Sequence, residues 1–489
     1  MRELQMKFIM STVTARQIKI LNTIEKDRMF TINKLADELD ISRRTIIKDI
    51  NDMKIYFQNS ASFISKNTGY IFREEDRMLY LENKTAMLND EIWFEIIADI
   101  FYGNLYSLNE LADKYNYSES TMQRFAAEIS LAVAEYDLEL KLNPVDLEGS
   151  EGNIRTFFFD FFYECEDTPY TVYPPTDLHK LVFSKFSKEI GDFEIGTSVM
   201  TTAFYYYLYI AMTRSSIGCS IDIPPIIYSM DFLSSKDFIL FYSFQPIIKE
   251  KYDVFLPIDE FIWVAFILVC KRSVYSIEKE KLFYKRFNKW PQISILTKNY
   301  FISHGFDNWN KSDMSILLSS FLLAKKINDS ICPILNKLMD EEISRIKQLQ
   351  PLIYEANYEY LLQNSSILNF SKAYFEDIVA SLTMYYDIVM SYYTPVKEIA
   401  FILEGDHLLI QSIRIHIKNI LGDKYHAIFI PLQELTEERL NVDKIDLIVT
   451  NYKPYLLDFV IKKEYLLIDR IPTDNDWKRI LSTLNPLIN

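Results

Sequence analysis

The chain has 489 residues, 49% of them apolar and only 10 of them glycine, and it carries a net charge of −15 at neutral pH. That length is too great for one core and implies several domains of roughly 150 residues, and scarce Gly with frequent helical spacing implies a mainly α-helical multidomain protein. An acidic whole excludes general attraction to polyanions, so any nucleic-acid contact must be local.

Residues 1–72 are the electrostatic exception, with twelve Lys and Arg against eight Asp and Glu. The opening "MRELQMKFIM" is charged and lacks the apolar stretch of a signal peptide. The longest apolar runs, 261–270 and 203–212, are near ten residues. That is short of the ~20 needed to span a bilayer, so buried helices and no membrane partner are expected. Cys165, Cys219, Cys270 and Cys332 are widely spaced and form no CxxC pair. They read as buried free thiols.

Apolar spacing at Ile18, Leu21 and Ile24 predicts a helix over 14–25. Thr31 can cap a second helix through Leu35 and Ala36, and Asp40-Ile41 make a short turn. Ser42 can cap a third helix whose Ile46, Ile50 and Met53 face inward. Alternation on both sides of Asn67-Thr68-Gly69 predicts a hairpin. Three helices and a hairpin outline a winged helix-turn-helix.

The outline recurs. "LADELDISRRTIIKDIND" starts at Leu35 and "LADKYNYSESTMQRFAAE" at Leu111, each with Ser seven and Thr ten residues after its Leu. A helix over 90–101 precedes the second copy, and a strand pair and helix follow it. This is a tandem duplication of one module. Residues 172–390 read as long helices rich in Tyr and Phe, with breaks at 221–225, Pro257, 289–291 and 349–353. From Thr394, apolar strands alternate with helices, which predicts a small, largely parallel sheet with both faces covered.

The first copy is built to touch DNA. Arg44, Lys48 and Asn51 share the outer face of the third helix, and Arg43 and Thr45 lie in its first turn. Arg can grip guanine and Asn adenine through paired hydrogen bonds. Lys48 and, on the wing, Lys66 suit phosphates. In the second copy the face holds Glu119, Ser120, Thr121, Gln123 and Arg124, and the charge over 105–135 is −3. DNA contact there competes with a structural or dimer-contact role.

Tandem helix-turn-helix modules, the run "NPVDLEGSEGNIRTFFFDFF" behind the second, two helical stretches and a terminal β/α domain resemble the Mga/AtxA-type transcriptional regulators of Gram-positive bacteria. The resemblance divides the chain into a winged helix-turn-helix domain (1–75), a second, Mga-type helix-turn-helix domain (76–170), two bundles similar to phosphotransferase-regulation domains, or PRDs (171–283 and 284–392), and an α/β domain similar to the EIIB component of sugar phosphotransferases (393–489). It implies a cytoplasmic activator of virulence or metabolic genes and self-association into dimers or larger assemblies. It also implies phosphotransferase-system partners and a broad, shape-dependent preference for double-stranded DNA. PRD control implies phosphorylated His. The helices of "IGTSVMTTAFYYYLYI" and "KSDMSILLSSFLLAKKI" hold none, which leaves His179 and His304, just ahead of them, as candidates. An active EIIB carries a nucleophilic Cys after its first strand, but the loop here, "LEGDHLL" (403–409), has none. The domain therefore reads as a dimerisation module.

No P-loop, GxGxxG, HExxH or GxSxG motif occurs. The expectation is a regulator that is not an enzyme and needs no cofactor or metal. The reading from a different class is a scaffold or phospho-sensor whose helix-turn-helix modules bind proteins.

Overall fold

The computed structural model describes residues 1–489 apart from 68, 190–192, 196–199, 304–310, 394–396, 422–424, 443 and 485–489. The chain forms two compact units, one of residues 1–273, 282–289 and 323–336, the other of 274–281, 290–322 and 337–489.

The first unit starts with a short helix, α1 (Glu3–Met6), followed by α2 (Thr12–Asp27), β1 (Met29–Phe30), α3 (Ile32–Leu39), α4 (Arg43–Tyr56), β2 (Ala61–Lys66) and β3 (Gly69–Glu74). The strands pair antiparallel in the order β1-β3-β2. Three helices under a three-stranded wing result. The core is the expected one: Ile18, Leu21, Ile24, Leu35, Ile46, Ile50 and Met53 are all buried. Thr31 and Ser42 cap α3 and α4 through the Lys34 and Thr45 amides. Gly69 is required in the wing, because its φ is 138° and a Cβ there would lie 2.4 Å from the Phe30 carbonyl oxygen. Two residues are too few to show an alternation, so β1 is invisible to pattern reading.

The second module follows: α5 (Arg77–Ala86), α6 (Ile92–Tyr102), α7 (Leu108–Lys114), α8 (Glu119–Ala134), β4 (Glu139–Leu142), β5 (Val145–Glu148) and α9 (Glu151–Tyr163). Ser107, Ser118 and Ser150 cap α7, α8 and α9. The run Phe157–Phe162 on α9 is core, with Phe157, Phe158 and Phe161 wholly buried.

The amino-terminal strap, residues 1–11, packs on this second module. Phe8 meets Phe94, Phe157 and Phe161, the last at 4.7 Å between ring centroids. Gln5 donates to the Phe161 carbonyl at 3.0 Å. The Met10 amide donates to Glu91 at 2.7 Å, and burial raises the pKa of the Glu91 carboxyl even though these amides favour its charge. Lys84 of α5 bridges Glu25 of α2 and Glu166, each at 2.9 Å.

The rest of the first unit is helical: Thr176–Glu189, Met200–Ser216, Pro225–Tyr228, Lys236–Tyr242, Gln245–Tyr252 and Ile258–Val269. Three of these are shorter than expected, for local reasons. Pro225 starts one, Ser235 caps the next, and the third ends at Asp253 in the left-handed region. Phe186, Phe204, Phe241 and Phe244 form the aromatic core here.

A buried ionic cluster joins α9 to this core. Arg155, 0% exposed, pairs with Glu260, 1% exposed, and donates to Glu151 at 2.8 Å. Arg214 grips the same Glu151 with two bonds of 2.9 Å. Two cysteines behave as expected of buried thiols, but Cys165 and Cys219 are only half-buried. Burial pushes the Cys165 thiol up to about 12.

In the second unit, Ile293–Ser303, Asp340–Leu349, Pro351–Gln363 and Phe375–Tyr393 are helices. Buried Tyr300 donates to Asn357, which donates to Thr383 at 3.1 Å. Beyond them lies a sheet of β6 (Lys397–Ile402), β7 (Tyr425–Phe429), β8 (Ile445–Thr450) and β9 (Tyr465–Leu467), all parallel, in the order β7-β6-β8-β9. Ile399 and Phe401 face a core with the helices His407–Leu421 and Asp474–Leu484, while Ala400 and Ile402 face a second core with Leu440 and Tyr455. The crevice between β6 and β8, where the strand order reverses, is bridged by polar side chains. The Glu404 amide donates to Asn451 at 2.8 Å and Tyr455 to the Glu404 carboxylate at 2.7 Å. No described helix is long and apolar enough to cross a membrane.

Candidate nucleic-acid interface

Helices α3 and α4 meet at a tight turn. Asp40 adopts the left-handed conformation, and the Ile41 amide returns to the Ala36 carbonyl at 3.0 Å. Ala36, 8% exposed, is small enough to let α4 cross closely. The same parts recur in the second module. Asn116 is left-handed, and the Tyr117 amide reaches the Ala112 carbonyl at 2.9 Å.

The inner face of α4 carries one residue that an apolar pattern does not anticipate. Asp49 is fully buried and is held by Arg16 of α2, whose second bond measures 2.9 Å. The hydrogen bond to Asp49 raises the pKa of the Arg16 guanidinium. This pair pins α4 to α2 in the body of the module. The signal lay in the spacing, because Asp49 falls on the stripe of Ile46, Ile50 and Met53. Its partner could not be read from one chain segment.

On the outer face, Arg43, Arg44, Lys48 and Asn51 are all exposed. Among the described residues, none of these three cations has a carboxylate partner, whereas nearby Arg28 and Lys34 are paired with Glu74 and Asp27. Thr45 is placed differently from a free contact residue, because its hydroxyl lies 2.7 Å from the capping Ser42 hydroxyl. Lys66 is exposed at the end of β2, where it pairs with Gly69 at the wing tip. Sequence reasoning passed over Ile47, which lies among these residues and is 46% exposed.

In the second module, Ser120, Gln123 and Arg124 are exposed on α8. The Ser120 and Thr121 hydroxyls lie 3.0 and 2.8 Å from the Ser118 cap, and Arg124 sits over the Phe125 ring at 5.3 Å. Lys114 is committed to Glu95 and Asp99. His179 is exposed with its ring stacked on Phe183 at 4.2 Å between centroids. His304 lies outside the described residues.

Comparison with known proteins bears on this geometry. Residues 16–71 match the model of a helix-turn-helix domain family, and residues 77–162 match that of the Mga helix-turn-helix domain. Both matches are to helix-turn-helix domains, and the second is of the Mga type. A curated relative from Streptococcus pneumoniae serotype 4, described as a "Putative trans-acting regulator", is 25% identical over 164 residues. That stretch covers 32% of this chain and 32% of the relative. The Mga match runs from the first residue of α5 to within one residue of the end of α9, so it takes in the second helix-turn-helix and the Phe-rich helix behind it.

Proposed function

We propose that this Mga-type chain regulates transcription by binding duplex DNA, with α4 as the main reading helix and the β2–β3 wing on the backbone. The observation that carries the reading is the set of exposed, unpaired cations at the start of α4, in a chain whose other surfaces are acidic on balance. Arg43, Arg44 and Asn51 supply base contacts, Lys48 and Lys66 phosphate contacts, and Thr45 an edge-on hydroxyl. In α8, Ser120, Thr121, Gln123 and Arg124 extend the footprint along the duplex. The protein acts in the cytoplasm as a homodimer or larger assembly, without cofactor or catalysis, and activates virulence or metabolic genes. Residues 171–283 and 284–392 are PRD-like bundles open to phosphotransferase-system proteins, with His179 and His304 as phosphate acceptors. Residues 393–489 form an EIIB-like module for self-association. The lack of Cys in 403–409 and the hydrogen bonds that hold Glu404 to Asn451 and Tyr455 support a structural rather than phosphate-carrying role for that module.

The test is binding of the full chain to AT-rich and mixed duplexes at two salt concentrations, beside Arg43→Ala/Arg44→Ala. Phosphate-driven binding weakens steeply with salt. The double variant should lose about 1–3 kcal/mol per base contact removed. Equal binding by the variant, or salt-independent binding, would refute the reading. A second reading applies to α8 alone. Glu119 at its start and Leu131 at 74% exposure favour contact with protein over DNA.

A further inference from the structure

An isoleucine stands in the middle of the exposed cationic face of α4, outside the buried core of the module. Ile47 sits one turn into α4 with 46% of its surface exposed, and Ile46, Ile50 and Met53 on the adjoining inner face complete the core of the module. At 100° per residue, Ile47 falls between Arg43 on one side and Arg44, Asn51 and Lys48 on the other. Its neighbours rule out an apolar partner of ordinary kind. Three uncompensated cations and an amide would have to be desolvated against any protein surface that covered it, and that carries a penalty unless acidic groups meet each one. A major groove satisfies all five side chains together. The phosphates and base edges take the cations and the amide, and the one apolar feature the groove displays is the thymine C5-methyl group.

We propose that Ile47 is a specificity-determining residue that packs on a thymine methyl, so that α4 selects sites with an A·T pair beneath its second turn. Asn51, one turn further along the same face, is the complementary reader of adenine in the same stretch. The second module lacks this reader, because Gln123 and Ala127 stand where Ile47 and Asn51 do in the first. This inference rests on α4 binding DNA as proposed above, and it adds the chemical group that is read.

The experiment compares the full chain on the tightest-binding duplex of a random panel with the same duplex in which every thymine is replaced by deoxyuridine. The substitution removes only the methyl groups. Wild type should bind the deoxyuridine duplex about fourfold more weakly, the size expected for one methyl group withdrawn from water. Ile47→Ala should bind both duplexes alike, and Ile47→Val should keep a ratio clearly above one. If wild type binds both duplexes tightly and equally, or if Ile47→Ala keeps the wild-type ratio, the methyl contact is wrong while DNA binding stands. If wild type binds no duplex at all, the DNA-binding reading falls and this inference falls with it. Because Ile47 lies outside the core, unchanged circular dichroism is expected of both variants.

Discussion

Helices α4 and α8 begin with the same Ser cap and the same left-handed turn, and they bury the same three positions: Ile46, Ile50 and Met53 in one, Met122, Ala126 and Ile129 in the other. They differ on both remaining faces. Outward, Arg43, Arg44, Ile47, Lys48 and Asn51 are replaced by Glu119, Ser120, Gln123, Arg124 and Ala127. Inward, the buried Asp49 held by Arg16 is replaced by Phe125. The pairing teaches that the caps, the turn and the apolar stripe are enough to specify the module. The residues left free by that requirement are where the copies differ, and the second copy carries one cation there against three in the first.

Anchoring gives the largest effects. Arg155 fixes the last helix of the second module to Glu260, and both side chains are out of water. Arg155→Ala leaves Glu260 as an uncompensated buried charge, which should cost about 3–5 kcal/mol in denaturant unfolding. Replacing the pair together, Arg155→Met with Glu260→Leu, should recover much of that loss, since the desolvation penalty is removed along with the attraction. A single-site loss below about 1 kcal/mol would show that water reaches the cluster. In the first module, Arg16→Ala should destabilise more than Asp49→Ala. The former strands a fully buried carboxylate, while the latter strands a guanidinium that is still 24% exposed and can hydrate. Unfolding of the two variants under one condition checks the order.

The outer faces can be exchanged. Putting the first set on α8, through Glu119→Arg, Ser120→Arg, Gln123→Ile and Ala127→Asn with Arg124 kept in the place of Lys48, should raise affinity for duplex DNA and steepen its salt dependence. Each added phosphate contact should add about one to the slope of log affinity against log salt. Unchanged affinity would mean that α8 does not face the duplex, and the protein-contact reading of the second module would gain. Removing Lys66 by Lys66→Ala should flatten the slope by about one and leave sequence preference untouched.

What could be read from the chain follows the range of the interactions. Ser42, Thr31 and Ser118 act on amides three residues away, so their caps and the helices behind them are legible. The alternation of β and α after residue 394 announced a parallel sheet. Helix α5 opens on a charged run with no apolar period, which hides it from pattern reading, although Asp76 caps it. Phe8 and Gln5 lie in a segment with no period, and their partners on α9 are some 150 residues away, so the strap is visible only in three dimensions. The same holds for Arg16 and Asp49. The strand order β7-β6-β8-β9 likewise depends on crossovers that no local pattern encodes.

The smallest effects test whether the two modules are equal as folding units. Ser42→Ala and Ser118→Ala each remove one capping bond to a first-turn amide, the Thr45 and Thr121 bonds, both 3.2 Å. Each should cost about 1 kcal/mol. The consequences for binding should diverge. In the first module the cap also fixes the Thr45 hydroxyl and the first turn that carries Arg43 and Arg44, so fraying there should weaken DNA binding as well as stability. In the second, the same loss of stability should leave affinity nearly unchanged if α8 contributes little. Equal falls in affinity for both variants would instead show that the two helices share the load, and that Glu119 is no barrier to the duplex.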